Sequence, residues 1–165
     1  MSNRFRKATL ILAAATSTAL AASGCRTSAT KSDDAPAWDP CTAFPGSALQ
    51  ELGLDYKAKT ELHGHTCGWA KLGSGYNVEV TYRTMSRFAD WTGPEDPSKV
   101  TVGSYDGHTY HVKGNSHPFM CALQLATKKA NVVFTVTNTN YQDEDPCTFA
   151  SRVANGLEKY LPPAQ

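Results

Sequence analysis

Apolar and polar positions alternate most cleanly over residues 76–83 (YNVEVTYR). Tyr76, Val78, Val80 and Tyr82 fall on one side, and Asn77, Glu79, Thr81 and Arg83 on the other. A period of two marks a strand with one buried face. Residues 118–126 repeat the pattern with Phe119, Cys121, Leu123 and Leu125. Residues 131–137 (NVVFTVT) are rich in the β-branched and aromatic side chains that suit a pleated surface. Residues 62–70, 100–105 and 108–113 complete the expected strands. Gly73–Gly75, Asp106-Gly107 and Lys128–Ala130 read as hairpin turns between them.

Towards the C-terminus the period becomes helical. Cys147, Ala150, Ala154, Leu157 and Leu161 recur at separations of three and four, an amphipathic stripe. Asp145 supplies an N-cap, Pro146 fits the first helical position, and Pro162-Pro163 ends the run. The same tetrapeptide, Asp-Pro-Cys-Thr, occupies residues 39–42 and predicts a helix running to Leu52, with Gly53 beyond its end. Pro45-Gly46 splits that stretch into a turn and a later helix. Residues 85–91 are expected as a short helix. Short connections between strands imply antiparallel pairing. Helices segregated to the two ends imply an α+β fold: one antiparallel sheet with N- and C-terminal helices packed against it. Residues 39–165 form the single globular domain in this reading.

The first residues read as an address. Arg4, Arg6 and Lys7 precede fifteen apolar or small residues (8–22), followed by Ser23, Gly24 and Cys25. This is the layout of a secretory signal peptide over residues 1–24, and its apolar run is short of a membrane span. Ala22-Ser23-Gly24-Cys25 resembles a bacterial lipobox, whose cysteine takes a diacylglycerol through a thioether. Residues 25–38 are then a lipidated cysteine and a polar tether. Thirteen such residues reach about 20 Å. The expected location is the extracytoplasmic face of the cell membrane, held by acyl chains.

Charge narrows the partners. Sixteen basic and fifteen acidic residues give +1 over the whole chain, but thirteen face fifteen from Cys25 onward, a net of −2. Nucleic acid is therefore not an expected partner, because phosphate binding needs a concentrated positive surface.

Five cysteines stand at 25, 41, 67, 121 and 147. Lipidation of Cys25 leaves four for pairing, in a compartment that permits disulfides. Four cysteines allow three pairings. Cys41–Cys67 and Cys121–Cys147 are favoured: each pair is 26 apart and joins a helix start to a strand. A four-cysteine metal site would need closer Cys-x-x-Cys spacing.

Taken together, the lipobox, the tether, Asp39-Pro40-Cys41, Leu52-Gly53, Cys67-Gly68-Trp69, Cys121, Asp145-Pro146-Cys147 and Leu161-Pro162 resemble one family. It is the actinobacterial lipoprotein family called domain of unknown function 3558, and the resemblance covers residues 39–162. It implies an envelope lipoprotein with no assigned catalytic residues, and it supplies no substrate.

Candidate chemistry is sparse. His63 and His65 would share a strand face with Cys67 and Trp69, and could approach His108, His111 or His117 around zinc or copper. Solvated or hydrogen-bonded histidines are the plainer reading, so no metal or cofactor is expected. Asp143-Glu144-Asp145 reads as a loop ending in a cap rather than a calcium site. There is no Gly-x-Ser-x-Gly elbow and no phosphate loop. Trp38, Trp69 and Trp91 with Tyr76, Tyr82, Tyr105 and Tyr110 could line an apolar pocket, with Trp69 expected in the core and Trp91 at a loop edge. The resulting expectation is a non-enzymatic binding or interaction module, taking an envelope protein or a small ligand. The alternative is a small-ligand or metal carrier working with a membrane transporter.

Overall fold

The computed structural model describes residues 38–63, 65–83, 97–113, 118–140 and 144–165. The expected signal peptide, Cys25, the tether up to residue 37, the 85–91 helix, Trp91, His117 and Asp143 lie outside them.

Seven strands form one antiparallel sheet: β1 (Thr60–Leu62), β2 (Thr66–Ala70), β3 (Tyr76–Arg83), β4 (Ser98–Val102), β5 (Tyr105–Lys113), β6 (Pro118–Ala126) and β7 (Asn131–Asn138). Their order is β1-β2-β3-β7-β6-β5-β4. Two meanders, β1–β3 and β4–β7, are thus joined where the last strand of each meets the other, β3 against β7. The eight-residue register Tyr76↔Asn138 to Arg83↔Asn131 makes that seam the longest uninterrupted pairing. It aligns Val78 with Val136 and Val80 with Phe134, so the alternation legible in each strand matches across the seam.

One face of the sheet carries the main core. Cys67, Trp69, Val78, Val80, Tyr82, Cys121, Leu123, Leu125, Val132, Phe134 and Val136 are buried there. Over them lies α3 (Pro146–Leu157), which contributes Phe149, Ala150, Val153, Ala154 and Leu157, all fully buried. The amphipathic stripe read from the sequence faces the sheet as expected. Burying each of the larger side chains, Phe149, Val153 and Leu157, stabilises by about 1.5–3 kcal/mol. The opposite face holds a smaller cluster of Tyr110, Ala122 and Val133.

Both Asp-Pro-Cys-Thr tetrapeptides start helices by the same device. Asp145 accepts from the amides of Cys147 and Thr148 at 2.8 and 3.0 Å. Asp39 accepts from the amide of Cys41 at 3.0 Å. The first helix is only α1 (Pro40–Ala43), and after a break at Phe44–Pro45 the chain resumes as α2 (Gly46–Glu51). Pro45 limits it: it has no amide N–H to continue the helical bonding, and its ring disfavours a helical Phe44, which is extended.

Both disulfides join a helix start to a strand. Cys41 is bonded to Cys67 and Cys121 to Cys147, each with Cα atoms 5.1 Å apart.

Two local expectations are corrected. Residues 62–70 are not one strand but the end of β1, a turn, and β2. His65 has φ +57°, and this left-handed residue reverses the chain, so His63 and His65 lie in the turn and share no strand face with Cys67 and Trp69. The second correction concerns Asp106-Gly107, which lie inside β5; the hairpin turns instead at Gly103-Ser104. Gly103 supplies the positive φ, +54°. Gly107 serves a different need: a Cβ there would sit 2.4 Å from the carbonyl oxygen of Gln124 on β6.

Candidate functional site

The site begins with Trp38, the first described residue and the last of the expected tether. Its indole meets Tyr82 edge-on at 5.2 Å and Phe44 at 5.5 Å, and Phe44 in turn meets Trp69 at 5.8 Å. Trp69 is in the core, as the sequence implied. The Trp38 Nε1–H donates to the Tyr160 carbonyl at 3.0 Å. One aromatic residue therefore pins the start of the domain to the segment that follows α3.

That segment forms the second wall. After α3 the chain makes a 3-10 turn (Glu158–Tyr160) and runs extended through Leu161, Pro162 and Pro163. The Tyr105 hydroxyl donates to the Pro162 carbonyl at 2.7 Å. Burial first, and the Glu158 carboxylate second, push the Tyr105 phenol above its usual value. Beyond it, the Lys128 amide donates to the Pro163 carbonyl at 3.1 Å, and Ala164 pairs with Thr127 in an isolated antiparallel bridge.

The third wall is the β6–β7 turn. The buried Thr127 hydroxyl donates to the Ala130 carbonyl at 2.6 Å and accepts from the Ala130 amide at 3.2 Å. This fixes the turn and leaves Lys128 and Lys129 side by side and exposed. Among the described residues no carboxylate pairs with either ammonium.

Between these walls lies a half-open groove of about 410 Å³, lined by Trp38, Tyr82, Thr127, Lys128, Lys129, Leu161, Pro162 and Pro163. Its volume falls within the range of small-molecule sites, about 300–1,000 Å³. Its walls are aromatic and aliphatic, and its charge is positive. A smaller recess of about 180 Å³ lies on the other side of the sheet near β1, between Thr60, Gly68, Ala70 and Glu79 among others.

The residues singled out for chemistry are mostly not brought together. His63 and His65 are exposed in their turn. His108 and His111 alternate along β5 and take opposite faces. The structure does gather His111, Asp145 and Cys147, with ligand atoms within 4.8 Å of one another. That donor set is occupied: the Cys147 sulfur is bonded to Cys121, and Asp145 caps α3 while its other oxygen lies 3.1 Å from His111 Nε2. Glu144 is held by Arg152 at 2.6 Å and lies 3.9 Å from Lys71. Of the aromatic set, Trp38 and Tyr82 line the groove, while the Lys128-Lys129 turn and Leu161–Pro163 were not singled out for binding. A Lys-Lys pair in a tight turn was the only sequence signal for them.

Among the described residues no helix is long and apolar enough to cross a membrane. The family model described as "Protein of unknown function (DUF3558)" matches residues 7–160, so the chain belongs to that family. No curated protein and no solved structure matches the chain.

Proposed function

We propose that this member of the DUF3558 family is an exported actinobacterial lipoprotein, held at the outer face of the cytoplasmic membrane by acylated Cys25, whose domain is a non-enzymatic binding module. The observation that carries the reading is the groove at Trp38: apolar walls and a cationic rim, at the point where the expected tether joins the domain. The lipobox-like Ala22–Cys25 and the basic, apolar leader support the anchor. The two disulfides fit an oxidising compartment.

The groove offers grip rather than proton transfer. Its hydroxyls are those of Thr127, engaged with Ala130, and of Tyr82, and its charged groups are ammoniums. A small ligand fits it better than a protein strand fits the β1 edge of the sheet. Edge strand β1 has three residues, all exposed, and an ion pair between Lys59 and Glu61 at its side. A short, charged edge resists strand addition.

Two measurements test this. Cys25→Ala should move the protein from the membrane fraction to the medium, and unchanged membrane retention would overturn the anchor. Native mass spectrometry of the chain released gently from membranes should show a bound small molecule that Leu161→Trp, which fills the groove, displaces. Ligand retained in the filled variant would move the site elsewhere.

A further inference from the structure

The chemistry of the groove narrows what it can hold. Three backbone carbonyls around it are already engaged. Tyr160 O takes the Trp38 N–H, Pro162 O takes the Tyr105 hydroxyl, and Pro163 O takes the Lys128 amide. The Thr127 hydroxyl is engaged with Ala130 in both directions. A polyol or a peptide needs many convergent hydrogen-bonding groups, and to these the lining adds, from its side chains, the Tyr82 hydroxyl and the lysine ammoniums. It supplies aromatic and aliphatic surface from Trp38, Tyr82, Leu161 and Pro162, and two adjacent ammoniums with no carboxylate partner among the described residues. Lysine stems extend apolar surface while keeping their charge in water, so the same side chains serve a chain and a headgroup.

We propose that the groove binds a long-chain fatty acid, its hydrocarbon along Trp38, Tyr82, Leu161 and Pro162 and its carboxylate at Lys128 and Lys129. This rests on the reading of the groove as the ligand site and names the ligand class. The volume, about 410 Å³, is at the small end of ligand sites and suits one chain rather than a two-chain lipid. The turn bearing the lysines is fixed on both sides, by Thr127–Ala130 and by Lys128–Pro163, so both lysines extend from a preset backbone.

Trp38 gives the test its reporter. Full-length chain carrying Cys25→Ser, purified without detergent, is titrated with dibromostearic acid, whose bromines quench a nearby indole. Saturable quenching is expected, and the component absent from Trp38→Phe reports the groove. Charge reversal at both lysines, Lys128→Glu with Lys129→Glu, should weaken the acid at least tenfold. It should also improve binding of stearylamine, which competes for the same site. Both positions are exposed, so an unchanged near-ultraviolet spectrum and melting temperature certify the fold of that variant. Equal binding of the acid before and after charge reversal overturns the carboxylate assignment but leaves the groove as a ligand site. Failure of the acid, the amine and a neutral brominated alcohol alike to quench Trp38 overturns both.

Discussion

The Tyr105 hydroxyl donates to the Pro162 carbonyl at 2.7 Å in a buried position, tying the start of β5 to the segment that follows α3. The two residues are 57 apart in sequence, and the bond holds one wall of the groove against the sheet. Tyr105→Phe keeps the ring and leaves the carbonyl without that donor. The expected cost is about 1 kcal/mol in urea unfolding. It should be accompanied by weaker ligand binding in the groove; an unchanged midpoint would show that the bond contributes nothing.

The same phenol sets an alkaline limit. Its folded pKa is raised by burial and by Glu158, and that of Tyr110 is raised by burial. A group whose folded pKa lies above its unfolded value keeps more protons in the folded state. Its stabilisation is complete below the unfolded value, about 10, and is lost as pH rises through the folded value. Melting temperature should therefore fall from about pH 10 upward. Tyr105→Phe should shallow that fall, with Tyr110 supplying the remainder. A wild-type melting curve flat to pH 11 would contradict the assignment.

The two aspartate caps should differ in weight. Asp145 accepts two amides of a twelve-residue helix that covers the sheet, whereas Asp39 accepts one amide of a four-residue helix. Asp145→Ala should cost about 1–2 kcal/mol and Asp39→Ala about 0.5 kcal/mol, by chemical denaturation. Equal costs would mean that cap geometry alone, not the helix it serves, sets the value.

Each disulfide closes a loop between residues 26 apart. The chain-entropy model assigns such a loop about 3.5 kcal/mol. Removing Cys121 and Cys147 together should cost more than removing Cys41 and Cys67, because it frees the principal helix from the central part of the sheet. Peptide mapping under non-reducing conditions should recover 41 joined to 67 and 121 to 147, and a crossed peptide would refute the register that places them.

Gly107 is expected to tolerate nothing larger. A methyl group there would meet the Gln124 carbonyl oxygen at 2.4 Å, and that oxygen belongs to the backbone of β6. Gly107→Ala should destabilise by about 1–3 kcal/mol, the range of overpacking. Gly73→Ala, where a Cβ has open space but φ is +70°, should cost about 1 kcal/mol through the backbone alone. Thermal melts of the two variants separate the mechanisms.

Local signals are legible where one physical rule dominates. The period of two in 76–83 and 118–126 placed Val78, Val80, Leu123 and Leu125 on the buried face, and the two Asp-Pro-Cys-Thr starts placed both caps. They failed where two rules competed. Asp106-Gly107 carries the composition of a hairpin turn, but Gly103 took that role and Gly107 was required by the approach of β6. A lone histidine in the left-handed region divided what reads as one strand.

Sequence by itself determined strands β3, β6 and β7 with their buried faces, and the principal helix with its cap, because these depend on neighbours within a few residues. Tertiary structure alone decided that β3 pairs with β7, and that Trp38, Tyr82, Lys128, Lys129 and Pro162 meet in one groove. No local periodicity encodes such a meeting. It follows from fitting one amphipathic helix and two meanders onto a shared core, and only the whole packing brings residues so far apart in the chain to the same place.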